Sequence, residues 1–241
     1  INIKREYRSF SDNMISEFYV PLLEDAVIYK RAVGFFSSSS LLRISVGISS
    51  LAQRAGKIYL VASPRLTEED VESIRSGYKM RDEVVRSSLL RELSDSHSWI
   101  EMARLNLLAN LIASGTLDIK IALMKDDSGF GMYHEKMGII EDSEGNVVAF
   151  SGSMNETSMA ITENYEAIDV FCSWKNQENK MRVEIKKRAF DKIWNDEEPN
   201  IQIIDFPEVK AEIINKYKVS APDFSLDGIA YSSVQTKSPL L

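Results

Sequence analysis

Cysteine is nearly absent from this chain: Cys172 is the only one in 241 residues. A single thiol excludes an internal disulfide and a cysteine-based zinc cluster, and it fits a cytoplasmic setting. Histidine is almost as scarce, with only His97 and His134. No stretch approaches the roughly 20 consecutive apolar residues that span a bilayer. The segment Ile1–Phe10 is charged from the outset, unlike a secretory signal. No membrane partner is expected. Positive charge is in deficit, with 29 basic against 36 acidic side chains and a net charge of −7. That argues against a protein that coats nucleic acid non-specifically, but it leaves room for a local basic cleft. The first residue is not Met, so a fragment or a chain lacking a trimmed start is expected.

What is present is an ordinary soluble composition, 44% hydrophobic and 27% charged, in a chain long enough to bury a sizeable core. The pattern alternates helix and strand. Ser11–Asp25 reads as a helix with Ser11 or Asp12 as its cap, and Arg31–Phe36 as a short strand. Ser37–Ser40 open a second helix, which Gly56 ends as a left-handed cap. Lys57–Ala62 is a buried-strand pattern, and Thr67 with the acids after it starts a third helix. Residues 80–114 read as a helical insertion closed by Gly115. Strands are expected at Asp118–Met124, Lys136–Ile140, Val147–Phe150 and Ala167–Phe171. The turn Glu144-Gly145-Asn146 makes a hairpin of the second and third of these.

Asn176–Trp194 is an amphipathic helix with Ile185, Ala189, Phe190, Ile193 and Trp194 spaced for one face. It contains a basic run, Lys180–Lys192, with six basic and two acidic residues. This is either a candidate nucleic-acid patch or a solvated helix face. Ile201–Phe206 is a last strand. Beyond Val219 the periodicity is lost, so a domain over residues 1–218 and a tail or linker over 219–241 are expected. The whole predicts an α/β sandwich, a mixed central sheet flanked by helices.

Three short motifs fall close together in the second half: His134-Glu135-Lys136, Gly152-Ser153-Met154-Asn155 and Asn164-Tyr165-Glu166. Each sits at the edge of a predicted strand. Residues two apart on a strand share a face, so His134 and Lys136 are expected side by side, as are Ser153 and Asn155. A neutral imidazole is a nucleophile or general base near neutral pH. A lysine suits a non-bridging phosphate oxygen, and an asparagine amide can donate to the same oxygens. Glu166 could fix the tautomer of an imidazole, and Ser153 could hold a ligand oxygen or orient its neighbours. Such a set suits an anionic tetrahedral centre, with a phosphate diester as the natural candidate. Alone, each motif is weak: His-x-Lys is common, and Gly-Ser-x-Asn is also a turn signal. Their order, spacing and strand context give them weight together.

The same pattern resembles the phospholipase D superfamily, whose HKD motif continues downstream into a Gly-Ser-x-Asn segment and a glutamate. The resemblance covers about Ser11–Trp194. The stretches Arg31–Ser40 and Gly56–Pro64 look like nuclease-type members found in bacterial restriction and helicase-associated proteins. It implies catalytic roles for His134, Lys136, Ser153, Asn155 and Glu166. The family's aspartate, five residues after the lysine, is replaced by Glu141 with Asp142 beside it. That acid is taken as structural rather than chemical.

The resemblance further implies a two-step displacement through a phosphohistidine, with no metal and no cofactor, in which a second histidine protonates the leaving oxygen. His97 has no lysine two residues on and reads as a plain helix or surface residue. The second histidine is therefore expected to be His134 of another copy, in a symmetric homodimer. DNA is the expected substrate, with a helicase or ATPase as a fused or partner protein. A lipid phosphodiesterase and a non-catalytic DNA-binding module are the alternatives. Arg65, at a strand end, and Ser37 are expected as substrate contacts. Asp126-Asp127 lacks the further ligands of a metal site.

Overall fold

The computed structural model describes residues 2–34, 36, 44–64, 81–94, 99–125, 133–154, 164–205 and 207–219. The expectations at Ser37–Ser40, Arg65, Thr67, His97, Asp126-Asp127, Asn155 and the tail from residue 220 lie outside them.

Eight strands form one mixed sheet: β1 (Glu6–Arg8), β2 (Ala26–Val33), β3 (Lys57–Ala62), β4 (Leu117–Met124), β5 (Met137–Asp142), β6 (Val147–Gly152), β7 (Ala167–Cys172) and β8 (Ile201–Ile204). Their order is β1-β7-β6-β5-β2-β3-β4-β8. The centre, β2, β3 and β4, is parallel. The flanking strands join antiparallel.

The helices are α1 (Val20–Asp25, entered through a π-helical turn at Ile15–Tyr19), α2 (Ser45–Gln53), α3 (Arg81–Ser94), α4 (Trp99–Ala113), α5 (Gln177–Trp194) and α6 (Pro207–Tyr217). One core joins α1, α2, α4 and α6 to one sheet face through Phe18, Leu23, Ile48, Leu108, Ile213 and Phe150. The other face receives α5 through Val183, Phe190 and Ile193, against Met137, Ile139 and Ala149. This is the sandwich the sequence predicts, with α3 and α4 forming the helical insertion.

Several boundaries differ, each for a physical reason. Strand β2 begins at Ala26, five residues before the expected start. Two charges in its middle hide it, and both are accommodated. Lys30 pairs with Asp191 at 2.5 Å, and Arg31, 1% exposed, donates to the Met154 carbonyl at 2.6 Å. The first helical segment is capped by neither Ser11 nor Asp12. Asn13 Oδ1 accepts from the Ser16 N–H at 3.1 Å, while Glu17 Oε1 accepts from the Asn13 N–H at 3.0 Å.

After α2 the left-handed residue is Ala55, with φ 55°, rather than Gly56. Gly56 is required by close approach instead: a Cβ there would lie 2.8 Å from Leu51 Cγ and 2.9 Å from Leu51 O. On α5, Ile185 is 55% exposed and Val183 takes its expected place in the core. At about 100° per residue, Val183, Phe190 and Ile193 share one side, and Ile185 lies roughly opposite. Gly115, with φ 66°, does end α4 as expected.

Candidate active site

Strands β5 and β7 both run antiparallel to β6 and flank it. The start of β5, the end of β6 and the start of β7 therefore meet at one end of the sheet. The register puts Ala32, near the end of β2, opposite Met137. This is also the carboxyl end of the parallel strands, where α/β folds bind ligands. The described residues of all three motifs converge there, although they span residues 134–166.

His134 and Lys136 stand just ahead of β5 in irregular backbone, not within the strand. His134 is exposed, whereas Lys136 is 8% exposed. Lys136 Nζ folds back to donate to the His134 carbonyl at 2.8 Å. Burial lowers the Lys136 pKa, the Glu166 carboxylate opposes that shift, and Arg31 adds to it. Glu166 is thus the carboxylate that faces the buried ammonium, and Arg31 is a second buried cation beside Lys136.

Glu166 is 7% exposed. Its carboxylate accepts from the Ser153 hydroxyl and, at 3.4 Å, from Asn164 Nδ2. Among the described residues these two are its side-chain partners, and no imidazole is one of them. Ser153 Oγ also accepts the Ala167 N–H at 3.1 Å. Ser153 thus ties the end of β6 to the start of β7 and orients the carboxylate at the same time.

The glycine of the second motif has its own physical cause. A Cβ on Gly152 would fall 2.0 Å from the Ala167 carbonyl oxygen, a backbone atom that cannot swing aside. That carbonyl accepts the Ser153 N–H at 3.0 Å, and the Gly152 N–H donates to the Lys136 carbonyl at 3.2 Å. Gly152→Ala must therefore separate β6 from β7 beneath the site. Overpacking of this kind costs about 1–3 kcal/mol. The expected result is a melting temperature lowered by several degrees, together with lost activity, read by thermal unfolding beside an activity assay. Unchanged melting would contradict the close approach.

The acids of the lysine-plus-five position lie at the other end of β5. Glu141 pairs with Lys187 of α5 at 3.0 Å. Asp142 accepts the N–H groups of Glu144 and Asn146, each at 2.9 Å, and so builds the β5–β6 turn. Burial would raise the Asp142 pKa, but the hydrogen bonds from Asn146, Glu144 and Gly145 outweigh it and hold the carboxyl below its usual range. Both acids make contacts within the fold, away from the three motifs.

Sequence reasoning missed two residues. Ser9, 7% exposed, clamps the third motif from β1: its N–H donates to the Glu166 carbonyl at 2.9 Å, and its Oγ accepts the Glu166 N–H at 2.7 Å. Strand β1 has three residues and carried no periodic signal. Arg31 supports the backbone leading to Asn155 through Met154, with its guanidinium 5.1 Å from the centre of the Phe150 ring. An arginine at the head of an apolar strand pattern was the available signal. Half of the basic run on α5 is paired with acids outside the run: Arg182 with Glu178 at 3.1 Å, Lys186 with Glu135 at 3.8 Å, and Lys187 with Glu141.

A family model described as "Cardiolipin synthase, PLD-like domain" matches residues 48–194, well over half of the chain. Among solved structures the chain is similar to NucT from Helicobacter pylori (14% identity, TM-score 0.49, covering 83% of this chain and 97% of that one). It is also similar to Nuc from Salmonella typhimurium, a phospholipase D family member (17% identity, TM-score 0.45, 83% and 95% covered). A third is the phosphatidylserine synthase of Haemophilus influenzae (11% identity, TM-score 0.47, 95% and 46% covered). No curated protein matches the chain in sequence. No described helix is long and apolar enough to cross a membrane. With His134, Lys136, Gly152, Ser153 and Glu166 gathered at one sheet end and the family model spanning all of them, the chain belongs to the phospholipase D superfamily of phosphodiesterases.

Proposed function

We propose that this protein is a metal-independent DNA endonuclease that works through a phosphohistidine at a site completed by a second copy of itself. The observation that carries the reading is the convergence of exposed His134 with buried Lys136 and the Ser153–Glu166 pair at one end of the sheet. In the first step an imidazole nitrogen of His134 attacks phosphorus. A P–N bond forms, a P–O bond breaks, and the leaving oxygen takes a proton from the facing His134 of the second copy. In the second step that histidine removes a proton from water, the resulting hydroxide attacks phosphorus, and the P–N bond breaks to restore His134.

Lys136 stabilises the non-bridging oxygens, and its link to the His134 carbonyl couples the two motif residues. Asn155 is assigned the same donor role from its place in the motif. Glu166, fixed by Ser9 from behind and by Ser153 in front, opposes the buried Lys136 ammonium and holds the hydroxyl in place. The exposed, polar setting of His134, Ser153 and Asn164 favours a long polyanion over an acyl chain. A lipid phosphodiesterase is the second reading, favoured by the description of the matching family model.

Incubation of the purified chain with supercoiled plasmid in EDTA, beside phosphatidylcholine vesicles, separates the two. The expected result is nicking of DNA in the chelator without release of lipid headgroup. Cleavage that requires magnesium would sink the mechanism, and headgroup release without nicking would favour the lipid reading.

A further inference from the structure

Tyr165 lies inside the third motif yet plays no part in the chemistry above. It is 63% exposed and stands beside Phe10, which is 74% exposed. The two rings are nearly parallel, with centroids 6.4 Å apart and 15° between their planes. Phe10 has φ 71°, a left-handed conformation that bulky side chains rarely adopt. It occupies the third position of a turn in which the Ser11 N–H returns to the Arg8 carbonyl at 3.3 Å and the Asp12 N–H at 2.9 Å. A positive φ at that position is the setting glycine ordinarily fills. Neither the core nor the turn gives a reason for a phenyl ring there.

The pair is also rigidly attached to the site. Ser9, next to Phe10, accepts the Glu166 N–H at 2.7 Å and donates to the Asn164 carbonyl at 2.7 Å. Arg8, ion-paired to Glu6, donates from Nη1 to the Tyr165 hydroxyl at 3.1 Å, which fixes a guanidinium at the edge of the ring.

We infer that Phe10 and Tyr165 form a stacking platform for a nucleobase of the strand being cut, with Arg8 at its edge. The inference rests on the nuclease reading and narrows it to substrates with an unstacked base next to the scissile phosphate. Aromatic faces flanked by arginine are how proteins hold single strands without reading sequence. A second copy of the chain is the competing occupant, because aromatic and arginine side chains are also enriched at protein interfaces, and the oligomeric state of the variant decides between the two.

The test uses the full chain carrying His134→Ala, so that substrate is not consumed. Binding of fluorescein-labelled single-stranded oligothymidylate is compared with binding of an oligonucleotide of the same length made of abasic sites. The double variant Phe10→Gly, Tyr165→Leu is then measured on both. Glycine relieves the backbone at position 10, and a thermal melt confirms folding. Oligothymidylate binding is expected to weaken roughly tenfold or more, while the abasic strand binds parent and variant alike. An equal loss on both strands, or no loss on either, would overturn the platform. So would a variant that becomes monomeric from a dimeric parent, because the rings would then serve the second copy.

Cleavage of single-stranded DNA by the unmodified protein in EDTA is scored separately. Base-dependent binding without cleavage sinks the nuclease reading and leaves the platform standing. Cleavage without base dependence does the reverse.

Discussion

Replacing His134 with alanine is expected to reduce DNA cleavage roughly 10⁴-fold or more, without loss of the fold. The side chain is exposed, so its removal leaves no cavity and should change the melting temperature little. The loss in rate is large because one substitution removes two roles in the proposed dimer, the nucleophile of one copy and the acid–base group of the other. That double use also predicts how mixtures behave. When wild-type and His134→Ala chains are mixed in equal amounts and allowed to exchange, only wild-type pairs retain a complete site. Activity should fall to about one quarter of an all-wild-type sample at the same total concentration. Activity of one half would mean that each chain works alone.

Lys136→Met is the second large effect, an expected loss of about 10²–10³ in kcat, in the range of losing one preorganised charge donor to a transition-state oxygen. The wild-type pH profile should carry the signature of this lysine. Burial favours its neutral amine, and Arg31 pushes the same way against Glu166. Lys136 therefore releases its proton at lower pH than an exposed lysine does. Activity that depends on the ammonium should decline earlier on the alkaline side than an ordinary lysine would dictate. Lys136→Arg, whose guanidinium stays protonated, should move that limb upward while losing rate to altered geometry. An alkaline limb unmoved by the arginine would separate Lys136 from the titration.

Much of this site was legible because its residues are few and closely spaced. The turn at Gly145, the strand at Lys57–Ala62 and the helix from Asn176 depend on local chemistry, so sequence pattern located them. What the sequence hid depends on tertiary contact. Strand β2 carries Lys30 and Arg31 in its middle, and tertiary partners such as Asp191 and the Met154 carbonyl make those charges tolerable there. Ser9 gains its meaning from Glu166, 157 residues away. The helix α6 has buried Val209, Ile213 and Tyr217 at helical spacing, yet no helix was read between the strand expected at Ile201–Phe206 and the loss of periodicity after Val219. Gly56 and Gly152 were visible as glycines, but the reason for each is a neighbour's atom rather than a backbone angle.

The most direct test of the account is whether a covalent link forms between His134 and DNA. Labelled DNA is mixed with the protein in EDTA and the reaction is stopped by denaturation within a turnover. A phosphohistidine predicts a protein–DNA adduct that survives alkali, is lost in acid, and is absent from His134→Ala. Cleavage that proceeds in the chelator with no adduct at any time, or an adduct that persists in His134→Ala, would contradict it.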